Sequence, residues 1–537
     1  MTRSGLLLPS LTMPPMRYTD TRGLANGFQS DESRAGGTAA PGAPAFTEVL
    51  IKGLAPGGGL FVPESVPALA LEEILALAGL PYATRAARIF AKWKLDVPPE
   101  TVEGLLADAY GDSFDLPEVA PLREVRPGMH VLELWHGPTA AFKDMALQVM
   151  PRLFGAALES RAEPGVAIPD YLVLVATSGD TGKAALEGFA GRSHTRIAVF
   201  YPREGVSELQ RRQMVTQEGE NVAVFGVEGN FDDCQSAVKA AFNDPEFNAE
   251  LLRRHNVQLT SANSINWGRL LPQVIYYASA YADLAASGAV AAGEAVDFCV
   301  PTGNFGNILA GYYAKRMGVP IARLLCASNE NRVLADFLET GIYDLTGRVF
   351  VNTPSPSMDI LISSNLERAL FELAGAASVR HWMEQLRQTG RFAVDAETFA
   401  RLSGLFAGGF VSNGETLRTI ARVHGEEGYL LDPHSAVAWR LAERMREDRP
   451  LVVVGTAHWA KFGADVLRAL EGRQPGDPLP VLLLEHPGKM LAKILELAPG
   501  QSVPRALSDL EGRRVRFDET IAGTAEAVEA AVARTLK

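Results

Sequence analysis

The sequence predicts an α/β fold with a largely parallel sheet, and three observations carry that expectation. Beyond residue 143, apolar runs of strand length alternate with stretches whose apolar residues recur at helical spacing. Two Gly-rich turns, Ser178-Gly179-Asp180-Thr181-Gly182 and Gly303-Asn304-Phe305-Gly306-Asn307, stand where a strand-like run gives way to a helical one. Such junctions, beyond the carboxyl ends of the strands, are where α/β folds bind ligands. The chain shows no internal repeat that would suggest a different architecture.

At 537 residues, 47% apolar and 21% charged, the chain suits two or three lobes around a large core. A net charge of -12 offers no basic face to nucleic acid or to an anionic membrane. An anionic substrate would therefore have to be drawn in by local groups. Cys234, Cys299 and Cys326 show neither metal spacing nor a disulfide framework, and the last two lie inside apolar runs. They read as core thiols of a reducing compartment. No His-rich cluster suggests a metal. No run approaches the ~20 apolar residues of a membrane span. The opening, Met1 to Pro9, is too short and too proline-broken for a signal peptide. The expectation is a cytoplasmic enzyme with no nucleic-acid or membrane partner.

Taken in order, residues 1–15 read as a disordered extension, with Met16 an alternative start. Ala25 to Pro44 is rich in Gly, Ala, Ser and Pro and has no periodicity, as in a flexible loop. Helical patterns from Leu69 to Tyr110, including Leu71 to Leu77 and Arg85 to Trp93, make residues 16–125 a mainly helical N-terminal lobe. Residues 126–537 form the α/β core, with about 140–260 a smaller subdomain and 261–500 a larger one.

The core opens on a strand-like run, Met129 to Leu134, stopped by the turn Gly137-Pro138-Thr139. Phe142, Met145, Ala146, Val149, Met150 and Leu153 then follow helical spacing, which puts Lys143 in a first helical turn among apolar neighbours. The helix dipole and the apolar surroundings both disfavour a protonated ammonium, so the free amine becomes available as a nucleophile. Taken alone, a lysine near a helix start is more often a surface residue.

Further strands are predicted at Tyr171–Ala176, Arg196–Tyr201, Asn221–Val227, Ala295–Val300, Ala322–Ala327, Leu451–Gly455 and Val481–Leu484. Helices are predicted at Gly182–Ala190, Arg269–Ala280, Ile308–Met317 and Ala460–Leu470.

The turn before Gly182-Lys183 invites a P-loop reading, but Thr177 and Ala184 stand where that pattern needs a Gly and a Ser or Thr. A tight turn with Asp180 or Thr181 capping the helix explains the spacing equally well, and Lys183 either adds charge or faces solvent. At the second junction, glycines let the backbone approach closely and the helix from Ile308 points free N–H groups into the loop, which suits a phosphate. Asp432-Pro433-His434-Ser435-Ala436 reads as a helix start capped by Asp432.

The string His136-Gly137-Pro138-Thr139-Ala140-Ala141-Phe142-Lys143-Asp144 resembles the pyridoxal-phosphate lysine motif of the threonine synthases. The resemblance extends over most of the chain with its motifs in the family's order. Tyr18-Thr19-Asp20-Thr21-Arg22-Gly23 is similar to the family's opening, with Asp20 where Ser is usual. Leu54 to Pro63 follows, with Gly57 in place of an acid. Ser178 to Gly182, Asn263 to Arg269, Gly303 to Asn307 and Thr456-Ala457-His458-Trp459-Ala460-Lys461-Phe462 continue the series, Trp459 replacing the usual Pro.

The resemblance implies a fold-type II pyridoxal-phosphate enzyme, like the tryptophan synthase β-subunit. Lys143 would hold pyridoxal 5'-phosphate as a Schiff base and be the catalytic residue. Gly303, Asn304, Phe305 and Asn307 would bind the cofactor phosphate, and Thr456 its pyridine nitrogen. Ser178, Gly179, Asp180 and Thr181 would hold the substrate carboxylate. Arg269, with Asn266, would hold the substrate phosphate, since a planar guanidinium matches phosphate oxygens; ordinary helix capping explains the same stretch. His458 and Lys461 stay outside the implied cofactor shell, as surface or capping residues.

The implied reaction converts O-phospho-L-homoserine and water to L-threonine and phosphate. A related phospho-lyase giving a 2-oxo acid, a threonine/serine dehydratase and a non-catalytic binding protein that kept the fold are the alternatives.

Overall fold

The computed structural model describes residues 14–24, 43–162, 165–203 and 205–536. The expectations for residues 1–13 and for residues 25–42 lie outside the described residues. The N-terminal part pairs β1 (Tyr18–Asp20) antiparallel with β2 (Phe61–Pro63) and is otherwise helical, with Phe46–Lys52, Leu71–Leu75, Tyr82–Lys92 and Pro99–Ala109. In the third of these, Tyr82, Ala86, Ile89 and Phe90 share one buried face, the stripe expected from a 3.6-residue period.

Two sheets follow. β3 (Leu122–Arg126) and β4 (Met129–Glu133) form an antiparallel pair that begins the larger one. The chain then builds the smaller sheet from β5 (Asp170–Ala176), β6 (Thr195–Pro202), β7 (Val222–Val227) and β8 (Val257–Thr260), all mutually parallel where they pair. It returns to the larger sheet with β9 (Val296–Pro301) and β10 (Ile321–Ser328). A small antiparallel pair, β11 (Ile342–Asp344) with β12 (Arg391–Ala393), intervenes. β13 (Phe406–Phe410) and β14 (Leu451–Gly455) complete the larger sheet, in the order β13-β10-β9-β14-β4-β3. β15 (Thr520–Ile521) finally adds to the far edge of the smaller sheet, giving β15-β7-β6-β5-β8.

The alternation read from the sequence is thus the observed one. β9 and β14 are buried along their whole length, which is why β14 appears as an unbroken apolar run rather than an alternating one and β9 does so but for Asp297, whose carboxylate pairs with Arg323. Cys299 and Cys326 are buried in β9 and β10, and Cys234 is buried in the helix Phe231–Asn243.

Three elements depart from the expectation. Val481–Leu484 is not a strand but lies in a helix, Val481–Glu485, entered from Pro480. Val481 is 65% exposed and Leu482 52% exposed, so this run buries no face for a sheet to use. A short apolar run cannot by itself distinguish strand from helix. The helix after Lys143 is broken in two, Asp144–Leu147 and Met150–Ser160. Pro151 is the reason: it has no N–H to give the Leu147 carbonyl, and a proline is tolerated only in a first turn. Pro272 likewise inserts a tight turn, Leu271–Gln273, between Trp267–Leu270 and Val274–Ser287.

The N-terminal segment is tied to the core through aromatic rings. Trp267 is fully buried and meets Tyr18, Trp93 and Tyr313 edge-on, with centroids 5.9, 5.7 and 5.2 Å away. Among the described residues no helix is long and apolar enough to cross a membrane.

Candidate active site

Five loops of the core carry sequence motifs, and each leaves the C-terminal end of a strand: β4 runs to Lys143, β5 to Ser178, β8 to Asn263, β9 to Gly303 and β14 to Thr456. The first and last touch directly. Phe142 N donates to the Thr456 carbonyl at 2.8 Å, Ala141 bridges Ala457, and His458 N donates to the Ala140 carbonyl at 3.1 Å. Thr456 therefore stands beside Lys143 although the two are far apart in sequence.

Lys143 immediately precedes its short helix and is 7% exposed. Burial lowers its pKa, Asp180 opposes that, and the charges of Lys461 and Arg269 add to the fall. The direction is the one the sequence predicts. Lys143 Nζ lies 3.2 Å from Ser357 Oγ and 3.4 Å from Asp180 Oδ2.

The turn at 178–182 is not capped by Asp180 or Thr181. Thr177 Oγ1 does this, accepting from Gly179 N at 3.0 Å and Gly182 N at 2.9 Å. Gly179 adopts a φ of 131°, and a Cβ there would lie 2.6 Å from the Gln210 amide, so only glycine fits. Asp180 points its carboxylate at two cations. Its Oδ1 pairs with Lys461 Nζ at 2.8 Å and accepts from Gln210 Nε2 at 3.0 Å. Burial alone would raise the Asp180 pKa, but Lys461 and Lys143 outweigh it and hold the group well below the usual carboxylate range. The Asp180 carboxylate is thus engaged by lysines, which leaves the turn's backbone N–H groups and hydroxyls as the groups suited to an anion. Ser178 and Thr181 are half-buried.

Lys461 is neither a surface nor a capping residue. It is fully buried and also donates to the Thr139 carbonyl at 2.8 Å. His458 does cap, its Nδ1 accepting from Ala460 N; burial, His136 and Lys461 push its pKa down to about 3, so its ring is neutral. Trp459 is buried against it, with ring centroids 5.0 Å apart. Lys183 faces neither solvent nor the turn: it is buried and bonded to Glu187 Oε2 at 2.7 Å and to Gln217.

At the second Gly-rich loop, Phe305 takes the left-handed conformation (φ 64°) just before the helix Gly306–Met317 and is buried against Phe406, centroids 5.2 Å apart. Asn307 Oδ1 accepts from Tyr276 at 2.7 Å and Tyr277 at 2.8 Å, while its buried Nδ2 has no partner among the described residues. Two hydroxyls thus fix the amide with its donors free. A Cβ at Gly303 would lie 2.8 Å from the Ser357 carbonyl, and Asn365 N donates to the Asn304 carbonyl, so the loop is pressed against the segment 355–365. A helix N-terminus, bent backbone and an unpartnered amide donor fit a phosphate.

Arg269 is 4% exposed. Burial brings its pKa down to about 10, one guanidinium nitrogen donates to the Ala262 carbonyl at 2.6 Å, and Nε has no partner among the described residues. Asn266, by contrast, is fully enclosed and spends its amide on the turn: Oδ1 accepts from Gly268 N and Nδ2 donates to the Leu50 carbonyl, both at 2.9 Å. The capping reading holds for Asn266.

Sequence reasoning missed Ser357 and Lys461 at Lys143 and Asp180, and Tyr276 and Tyr277 behind Asn307. The tyrosines fall within the predicted helix Arg269–Ala280, whose period does not say what their hydroxyls meet. Lys461 lies in one of the motifs and Ser357 in none, and neither position carries a local sign of where its side chain goes.

Family descriptions match three stretches: threonine synthase N terminus at residues 38–110, pyridoxal-phosphate dependent enzyme at 115–456 and threonine synthase C-terminal at 435–532. Threonine synthase-like 1 of Macaca fascicularis is 44% identical over 437 residues, 79% of this chain. The chain spans 58% of that relative's length. Threonine synthase of Pseudomonas aeruginosa is 40% identical over 468 residues, covering 86% of this chain and 92% of that one. The crystal structure of pyridoxal-phosphate-bound threonine synthase from Brucella melitensis superposes with a TM-score of 0.80 at 38% identity, covering 97% of this chain and all of that one.

Proposed function

Because the chain belongs to the threonine synthase family of pyridoxal-phosphate enzymes, we propose that it converts O-phospho-L-homoserine and water to L-threonine and phosphate. The observation that carries this reading is Arg269: a buried guanidinium with an unpartnered N–H, near enough for its charge to be felt at Lys143. A buried cation without a counterion is costly. A phosphate monoester next to the reactive lysine supplies that counterion in a geometry that a planar guanidinium matches.

Pyridoxal 5'-phosphate supplies the electron sink that makes Cα and Cβ of the attached amino acid acidic. The remaining work falls to the chain. The helix opening at Gly306, with the Asn307 amide donors, would hold the cofactor phosphate, and the Thr456 hydroxyl would serve the pyridine nitrogen. Ser178 and Thr181 meet the substrate carboxylate. Lys143 Nζ takes the protons from Cα and Cβ as phosphate leaves Cγ; one proton goes back to Cγ to make the methyl group, water adds at Cβ, and a second proton goes back to Cα. Asp180, kept ionised by Lys461, holds Lys143 in place. Arg269 stays with the phosphate as it leaves.

A second reading ends in a 2-oxo acid instead of threonine, with the same phosphate release. It is worth testing because the threonine synthase-like 1 relatives carry a different name from the synthases. One assay separates the readings: holoenzyme with O-phosphohomoserine, following phosphate, threonine and 2-oxobutanoate together. Phosphate matched by threonine, and abolished in Lys143→Ala, is the expected result. Phosphate matched by 2-oxobutanoate selects the second reading, and no phosphate release rejects both.

A further inference from the structure

Asp432, His434, Ser357 and Lys143 form a chain of contacts across three segments that meet only in the fold. His434 is 2% exposed; its Nδ1 lies 2.8 Å from Asp432 Oδ1 and its Nε2 lies 3.1 Å from the backbone nitrogen of Ser357. A backbone N–H can only donate, so Nε2 is the acceptor and the ring proton sits on Nδ1, facing Asp432. Asp432 is itself fixed as the cap of Pro433–Met445, accepting from His434 N and Ser435 N. Ser357 is thereby anchored from one side, and its carbonyl is pressed against Gly303 on the other.

The Ser357 hydroxyl has one proton to give. It donates to Asp180 Oδ2 at 3.1 Å, because an ionised carboxylate can only accept. What remains toward Lys143 Nζ, 3.2 Å away, is an oxygen lone pair. The direct contact between Lys143 and Asp180, at 3.4 Å, is longer than either leg of the path through Ser357.

We propose that Ser357, held by the Asp432–His434 pair, is a positioning residue for Lys143. Its oxygen takes one N–H of the free amine and so sets the direction in which the nitrogen lone pair points. The proposal rests on Lys143 being the cofactor lysine, and on nothing about which product is formed. A correctly aimed lone pair matters whenever the amine must attack a carbonyl carbon, since misalignment at the attacking atom slows such steps steeply.

The test uses the full-length chain stripped of cofactor and mixed with pyridoxal 5'-phosphate, following the visible absorbance of the bound form. Capture should slow roughly tenfold in Ser357→Ala, the effect of losing one hydrogen bond that aligns the attacking amine. Ser357→Thr keeps the hydroxyl and should restore the rate to within about threefold. Pyridoxine 5'-phosphate has the same ring and phosphate but no aldehyde; its dissociation constant should stay within about twofold in both variants. His434→Ala should also slow capture, and the double variant Ser357→Ala/His434→Ala should be no slower than the slower single, because the two act in series. Three results would overturn the proposal: an unchanged capture rate in Ser357→Ala, a loss that Thr does not rescue, or an equal loss of pyridoxine 5'-phosphate affinity. No substrate is present, so each of these is separate from failure of the synthase reading.

Discussion

Burial acts on Lys143, Asp144 and Asp180 alike, and their neighbours decide three different outcomes. Lys143 loses basicity to burial, and Asp180 is rescued as an anion by two lysines. Asp144 is helped by Thr139, through the backbone N–H at 2.9 Å and the hydroxyl at 2.7 Å, and more weakly by the charge of Lys461, yet burial outweighs both and pushes its pKa up to about 6. The folded protein therefore holds this proton more tightly than the unfolded chain does. The group's contribution is fully present below pH 4 and is lost as pH rises through 6. A rise from the usual value to about 6 corresponds to about 3 kcal/mol. Asp144→Asn removes the titration. In urea denaturation, wild type should lose about 3 kcal/mol relative to the variant between pH 4 and pH 7. Parallel pH profiles would show that Asp144 is not protonated in the fold.

At the scale of elements, the break at Pro151 has a use. The Leu147 carbonyl, freed from an in-helix partner, sits where a Cβ on Gly188 would come within 2.1 Å of it. The helix Asp180–Phe189 can thus lie directly on the short helix that Lys143 begins, and the Lys143–Asp180 spacing follows from that contact. Gly188→Ala should push the two helices apart and cost about 2 kcal/mol, the usual size for overpacking against backbone. Thermal unfolding measures the stability loss. Slower cofactor capture should accompany it, because Asp180 moves with its helix. A fully stable variant would mean that the two helices have room to shift.

Across the whole molecule, the smaller sheet is finished by the end of the chain. β15 pairs with β7, and Val528, Ala531 and Val532 of the helix Ala525–Thr535 are buried in one cluster with Cys234, Ala237 and Ala241. Removing residues 518–537 uncovers that face. The loss of Ile521, Val528 and Val532 from the core is worth about 5 kcal/mol at typical burial energies. The truncated chain should be cleaved by protease within the smaller sheet at concentrations that leave the full chain intact. Equal resistance would mean that this sheet is stable without its last strand and helix.

The sequence by itself determined the alternation of strands and helices, because buried parallel strands and amphipathic helices leave distinct periods in the chain. The Gly-rich loops are legible for a related reason, because a left-handed φ or a close backbone approach demands a particular residue locally, whereas Lys143 stands out through the motif around it. Only the tertiary structure decided that Asn266 serves its own turn, that Lys461 is a buried partner of Asp180, and that Val481–Leu484 is helical. It also decided the place of Ser357, which meets Lys143 across 214 residues of chain, and of Lys461, which reaches the Thr139 carbonyl across 322. A lysine or serine looks the same in sequence whether its side chain ends in water or against another loop. Which of the two it meets is set by how the sheets and helices pack, and no local pattern encodes that.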